Sequence, residues 1–349
     1  MPQWITDPIV ETTFTAADIS NYEKIDWALQ LSNIPEAWKE TEGDGIKIAI
    51  IDADCVDHPD INNNIVVQQS FTDDAKTVNQ NGHGVFVAGI IGASKDGRGI
   101  IGGVPKAKLI MLKALSNSGS GREEWIAAAI AEAVRLGADV INMSLGAPVD
   151  CPKIYEEIQK AYRRGIPCIC AAGNDGHFEF GTNVNYPARY RETIAVASVD
   201  KEQKLSDYSC AGDEVDLAAG GERVYSCYVR DGIPCWAILS GTSFSGPVVT
   251  VVAALCISKH RKVGGETPIK TVEEIRKHVC RTATDVGPEG RDRYFGNGIV
   301  DAEKAIFYKK EEDNGKENQV KKPDVISKFF RGLWRMICGL FDQKETLTK

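Results

Sequence analysis

The chain has 349 residues, 43% of them apolar, and a formal net charge of −8. That is enough apolar material for one large domain with appendages, and the acidic balance argues against a nucleic-acid partner, which would meet a basic face. The opening stretch MPQWITDPIVETTF has no basic segment followed by an apolar one, no apolar run approaches membrane-spanning length, and ten scattered cysteines lack metal-type spacing, which together predict free thiols in a reducing cytoplasm.

Residues 1–26 are polar and irregular and read as an N-terminal extension. From residue 45 onward, short apolar runs alternate with helical patterns. Residues 46–51 (IKIAII) and 109–115 read as buried strands, and residues 122–136 repeat apolar residues at helical spacing up to Gly137, a natural cap. Residues 140–145, 167–172 and 193–199 read as further strands, with a helix over 154–164 between them. Cys168 and Cys170, two apart in one strand, are expected on the same side. Strand–helix–strand alternation predicts a three-layer α/β/α fold with a mainly parallel sheet, whose chemistry gathers at the carboxyl ends of its strands. The core pattern ends near residue 309. Residues 310–324 form a charged linker, and residues 325–349 hold an amphipathic helix. On that helix Ile326, Phe330, Leu333, Ile337 and Leu340 share one face, while Lys328, Arg331 and Arg335 lie elsewhere.

Four segments carry groups suited to chemistry. IIDAD puts Asp52 at the end of the first buried strand, where a carboxylate needs a partner or serves to cap the next turn. NGHGVFVAGIIGA sets His83 between glycines at the start of an apolar helix, either exposed for proton transfer or used as a helix-start hydrogen-bonding group. CAAGNDG leaves Asn174 in a glycine-flanked loop after a strand, able to donate to an oxyanion or simply to form a turn. SGTSFSGPVVTVVAAL opens a helix reaching about residue 258, with Ser243 as its cap or as a nucleophile whose own N–H faces an oxyanion. Pro247 falls in the first turn, where its missing N–H costs little.

In the order Asp, His, Asn, Ser these segments resemble the signature blocks of the subtilisin family of serine peptidases, closest to its intracellular branch. The resemblance runs over residues 27–305 and includes HPDI (58–61), VPKAKLIMLKAL (104–115), GADVINMSLG (137–146), YPARYRETIAVASVD (186–200) and GNGIVDAEKA (296–305). It implies a subtilisin-like catalytic domain over residues 27–309 that hydrolyses polypeptide substrates through an acyl-enzyme. Ser243 would be the nucleophile, His83 the base, Asp52 its orienting partner and Asn174 an oxyanion donor. Gly119, Ser120 and Gly121, with Ser144, Leu145 and Gly146, would flank an extended substrate paired by its main chain. Ala171, Ala172 and Gly173 would line the pocket for the side chain before the cleaved bond, which Asp175 would bias toward basic residues. A structural calcium would sit between Asp60 and the loop carrying Ser94, Asp96, Arg98 and Ile100. Thr6, Asp7, Pro8, Ile9 and Val10 would correspond to the intracellular branch's inhibitory strand across the cleft, or else to a disordered tail. The helix over 326–341, amphipathic, basic and rich in Trp and Phe, would dock on a membrane surface, on the catalytic domain or on another subunit.

The chain departs from the family pattern at four positions. Ala53 and Asp54 follow the catalytic Asp, where the family has Ser or Thr and then Gly, so an added charge near His83 would alter its pKa if it points inward. Phe86 and Val248 replace histidines outside the triad and are expected to repack the core. These departures leave room for an alternative, a weakened or inactive subtilisin fold that binds peptides without cleaving them.

Overall fold

The computed structural model describes residues 9–14, 23–54, 56–74, 81–177, 181–262 and 269–308. Seven strands form one sheet: β3 (Lys47–Asp52), β4 (Ile65–Ser70), β6 (Lys108–Lys113), β7 (Val140–Met143), β8 (Cys168–Ala171), β9 (Thr193–Val199) and β10 (Val215–Gly220). Their order across the sheet is β10-β9-β8-β7-β3-β6-β4, and every pairing is parallel.

Alternation along the strands divides the core in two. Ile48 and Ile50 of β3, Leu109 and Met111 of β6, and Ile169 of β8 face one layer. That layer holds the helices His83–Gly92 and Thr242–Lys262. Ala49 and Ile51, Ile110 and Leu112, and Cys168 and Cys170 face the other, against the helices Glu123–Arg135 and Pro152–Arg163. The three-layer arrangement read from the sequence is therefore the one adopted, and the uninterrupted apolar runs follow from burial on both faces. Cys168 and Cys170 do share a side, and the cysteines described are free thiols. Gly137 closes the first of those outer helices with φ +69°, a left-handed geometry suited to glycine.

One expectation is corrected. The helix over Thr242–Arg261 spans 20 residues, and its most apolar 18 residues have mean hydropathy 1.4, long and apolar enough to cross a membrane by length and composition. Burial of 94% of those 18 residues identifies it instead as the central core helix.

Short elements complete the fold. β1 (Ile9–Phe14) pairs antiparallel with β12 (Ile233–Ser240), which pairs in turn with β11 (Val224–Arg230). β2 (Glu23–Lys24) pairs with β5 (Gly99–Ile100). Asp26 links this periphery to the core: one carboxylate oxygen caps the helix Trp27–Leu31 at Ala28 N, and the other accepts Tyr225 N of β11.

Candidate active site

Asp52 is the last residue of β3 and is fully buried. Its Oδ1 accepts the Ala53 amide at 2.7 Å and meets His83 Nδ1 at 2.7 Å. His83 opens its helix because Gly82 turns the chain at φ +73°. A Cβ at Gly82 would lie 2.4 Å from the Tyr228 ring and 2.7 Å from the Val229 carbonyl, so only glycine fits. The imidazole is 1% exposed, and its ring centre lies 5.4 Å from that of Phe244.

Ser243 is the second residue of the central helix, directly before Phe244. Its Oγ donates to the Ser144 carbonyl at 3.3 Å, and Ser144 Oγ donates back to the Ser243 carbonyl at 2.7 Å. Behind this reciprocal link, Asn142 Nδ2 donates to Ser144 Oγ, and Thr250 Oγ1 donates to Asn142 Oδ1. The serine is thus locked between the end of β7 and the helix. Among the described residues no hydrogen bond joins Ser243 to His83, so the structure brings Asp52 and His83 into contact and leaves the serine hydroxyl turned toward Ser144.

Asn174 lies in the loop after β8 and is exposed. Its Oδ1 accepts both Thr242 N at 2.9 Å and Thr242 Oγ1 at 2.8 Å. With the oxygen taken, Nδ2 is left as the outward donor beside Gly241. Thr242 Oγ1 also accepts Gly173 N, which ties the loop to the helix start. Thr242 escaped the sequence reading because its partner is 68 residues away.

Around this centre, residues 116–120 close a tight loop in which Ser116 N donates to Ser120 O at 2.7 Å and Gly119 takes φ +79°. Gly121 bridges antiparallel to Leu115. Leu145 is buried, and Gly146 lies close under Asn185, with only 3.1 Å between its missing Cβ and that residue. Ala171 and Ala172 are buried at the end of β8. Gly173 takes φ +117°, and a Cβ there would lie 2.6 Å from Asn185 Nδ2. Asp175 is exposed, and its Oδ2 accepts Asn185 Nδ2 at 2.8 Å. Asn185 is a second residue of the site that the sequence reading missed.

Residues 43–298 match the model of the subtilase family. The chain belongs to that family. Its members are serine endopeptidases. The chain is 37% identical over 280 residues to an intracellular serine protease of Paenibacillus polymyxa, covering 78% of this chain and 83% of that protein. It is 38% identical over 277 residues to thermitase of Thermoactinomyces vulgaris, covering 78% and 93%. A minor extracellular protease, Epr, of Bacillus subtilis (strain 168) is 34% identical over 305 residues, and the match spans 44% of its length. Relatives of this subtilase thus include proteins named intracellular and extracellular alike.

Calcium is common in the family, and the donor set in this subtilase fits a hard cation. Asp60 Oδ2 accepts Ile100 N and Trp236 Nε1 at 3.0 and 2.9 Å, whereas Oδ1 accepts no hydrogen bond among the described residues. Burial, and then the nearby charge of Asp96, push the Asp60 carboxyl up. Two carboxylates converging on one loop is what a divalent cation would relieve. Glu23 Oε1 accepts the amides of Asp96 and Gly97 and fixes that loop, and Asp96 Oδ2 pairs with Arg98 at 3.3 Å. His58, Asp60 and Cys227 also cluster within 4.8 Å. There, however, His58 Nδ1 accepts Asp60 N and Nε2 is engaged with the Cys235 carbonyl, so neither ring nitrogen is left for a metal.

The departures from the family pattern have defined surroundings. Phe86 and Val248 are fully buried, and Phe86 packs on Phe244 with ring centres 4.5 Å apart. Asp54 does point inward. It is 1% exposed and its Oδ2 accepts Gly84 N at 2.8 Å.

Proposed function

We propose that this subtilase hydrolyses polypeptides through Ser243, His83 and Asp52. The observation that carries the reading is the buried Asp52–His83 contact of 2.7 Å, with the imidazole 5.4 Å, centre to centre, from the ring of Phe244, the residue after Ser243. Asp52 fixes the imidazole so that Nε2 faces the cleft. Rotation of Ser243 about χ1 exchanges its bond to Ser144 for one to Nε2. As Oγ attacks the scissile carbonyl, its proton passes to His83, and the oxyanion is held by Asn174 Nδ2 and the Ser243 amide. His83 then gives the proton to the leaving amine, and water, deprotonated in turn by His83, releases the acyl group.

Gly119–Gly121 and Ser144–Gly146 would receive the extended substrate between them, and Ala171, Ala172 and Gly173 would line its pocket. Asp175, exposed at the pocket rim, favours a basic side chain there. Matched peptides with Lys or Phe before the scissile bond test this, and a clear preference for Phe defeats it. The carboxylates of Asp60 and Asp96, with main-chain oxygens of Ser94, Arg98 and Ile100, would hold a calcium ion, whose charge would neutralise the loop. The same reading takes the domain limits as 1–26, 27–309, 310–324 and 325–349 and the setting as cytoplasmic. Pairing of β1 with β12, the strand leading to Ser243, supports a self-blocking N-terminal segment, although Thr6, Asp7 and Pro8 lie outside the described residues. The helix at 326–341, read as a membrane or subunit contact, also lies outside them.

The turn of Ser243 Oγ toward Ser144 favours a second reading, a peptide-binding subtilisin fold with weak or no hydrolysis. A fluorophosphonate probe separates the two. Ser243-dependent labelling of the intact chain, or of one lacking residues 1–20, supports hydrolysis. Labelling that is absent from both, or unchanged in Ser243→Ala, supports binding alone.

A further inference from the structure

Beside the triad lies an ionisable group for which the proposed hydrolysis has no use. Asp54 follows β3 by two residues, and its carboxylate is buried. Oδ2 accepts the amide of Gly84, the residue next to His83, while Oδ1 is buried without a hydrogen-bond partner. The contact is close on the main chain as well: a Cβ at Gly84 would lie 3.1 Å from Asp54 N and 3.2 Å from Asp54 O. The first turn of the His83 helix therefore rests directly on residues 52–54.

Charged and titratable groups surround Asp54 on each element packed against it. Asp52 comes from β3 and His83 from the helix. Lys113 stands at the end of β6, 2% exposed, with Nζ donating to the carbonyls of Ala53 and Leu115. Tyr228 projects from β11, and burial first, then the charge of Asp54, raises its phenol. Asp52 Oδ2, like Asp54 Oδ1, is a buried oxygen without a partner. Two carboxylates and one ammonium thus share the buried space behind one imidazole.

We infer that Asp54 is a positioning residue of the catalytic centre, which seats the His83 helix and places a second, titratable negative charge behind the Asp52–His83 pair. This rests on the triad reading and goes beyond it. Ionised Asp54 stabilises the imidazolium that forms when His83 takes the serine proton, and Lys113 offsets part of that field. Burial first, and then the charge of Asp52, push Asp54 up to about 6, against Lys113, the Gly84 N–H and His83. The charge behind the imidazole is therefore lost as pH falls through about 6, and on this inference that loss is coupled to His83.

The test compares pH profiles of kcat/KM for the full chain and Asp54→Asn, which keeps an acceptor for Gly84 N and removes the charge. The acid limb should move to lower pH, since removing a negative charge behind the imidazole disfavours its protonated form. A purely structural role lowers the plateau and leaves the limb in place, and that result overturns the inference. A second measurement needs no Asp54 variant: the imidazole proton resonance of His83 in the intact protein, assigned by its loss in His83→Ala. A titration broader than a single site between about pH 5 and 7 is expected, and a single-site curve overturns the coupling. If hydrolysis itself is absent, the triad reading fails on its own terms, and the resonance titration still decides the role of Asp54.

Discussion

Asn174 serves an oxyanion only while its amide faces one way, and Thr242 sets that direction through two hydrogen bonds to Oδ1. Asn174→Ala should therefore lower kcat by about 100- to 1000-fold with little change in KM, measured on a peptide substrate. Thr242→Val keeps the main-chain bond and loses the hydroxyl, so a smaller loss of about fivefold is expected, equivalent to one hydrogen bond of ~1 kcal/mol. A kcat unchanged in Thr242→Val would show that this orientation is irrelevant. Asp26 makes a different kind of prediction. Its carboxyl is pushed up to about 6, chiefly by burial, from an ordinary value of 3.8. The folded chain then binds more protons than the unfolded one between these values, so the contribution favours folding at the acid end and is lost as pH rises through about 6. The stability penalty of Asp26→Asn, read from urea midpoints, should accordingly be larger at pH 5 than at pH 7.5. At this scale the sequence was informative where a reactive residue sits among its own neighbours, as in NGHG or SGTSFSG. It was silent about Thr242, Asn142, Thr250 and Asn185, whose partners arrive from distant segments and whose residue types are common in any turn or helix.

Each element of the site ends where its chemistry begins. β3 stops at Asp52, the loop after β8 carries Asn174, and two helices start at Gly82–His83 and Thr242–Ser243. Gly82 is the tightest of these joints. Gly82→Ala combines a positive φ with a 2.4 Å approach to Tyr228, and should cost about 1–3 kcal/mol of stability. It should also reduce kcat by displacing the start of the His83 helix; unchanged melting and turnover would show that the joint relaxes freely. The parallel strands and outer helices were legible because burial on both faces leaves long apolar runs, and because Gly137 marks a helix end. β1, β2 and the hairpin of β11 and β12 were not. β1 and β2 lie in a polar stretch whose pairing depends on distant edges, and the hairpin interrupts the strand–helix rhythm that organised the reading.

At the level of the whole molecule, a bound cation would tie the N-terminal segment at Glu23 to the loop at residues 94–100 and to Asp60. Chelation of calcium should lower Tm by about 5 °C or more if the site is filled at about 100 times its Kd, which corresponds to ~2.7 kcal/mol. Asp96→Asn should melt at a temperature insensitive to the chelator, and equal sensitivity in both proteins would remove calcium from this loop. The architecture was readable from periodicity, but the central helix was underestimated as an apolar segment. Its small and polar residues, Ser245, Gly246, Thr250 and Ser258, break the run by eye although they are packed inside. That helix carries a last consequence. Ser243 is fastened to an element enclosed by the core along nearly its whole length, so it has no route to fray away from His83 while the rest of the fold stands. Heat inactivation and global melting should therefore be a single event, with turnover persisting up to the edge of the transition instead of fading ahead of it.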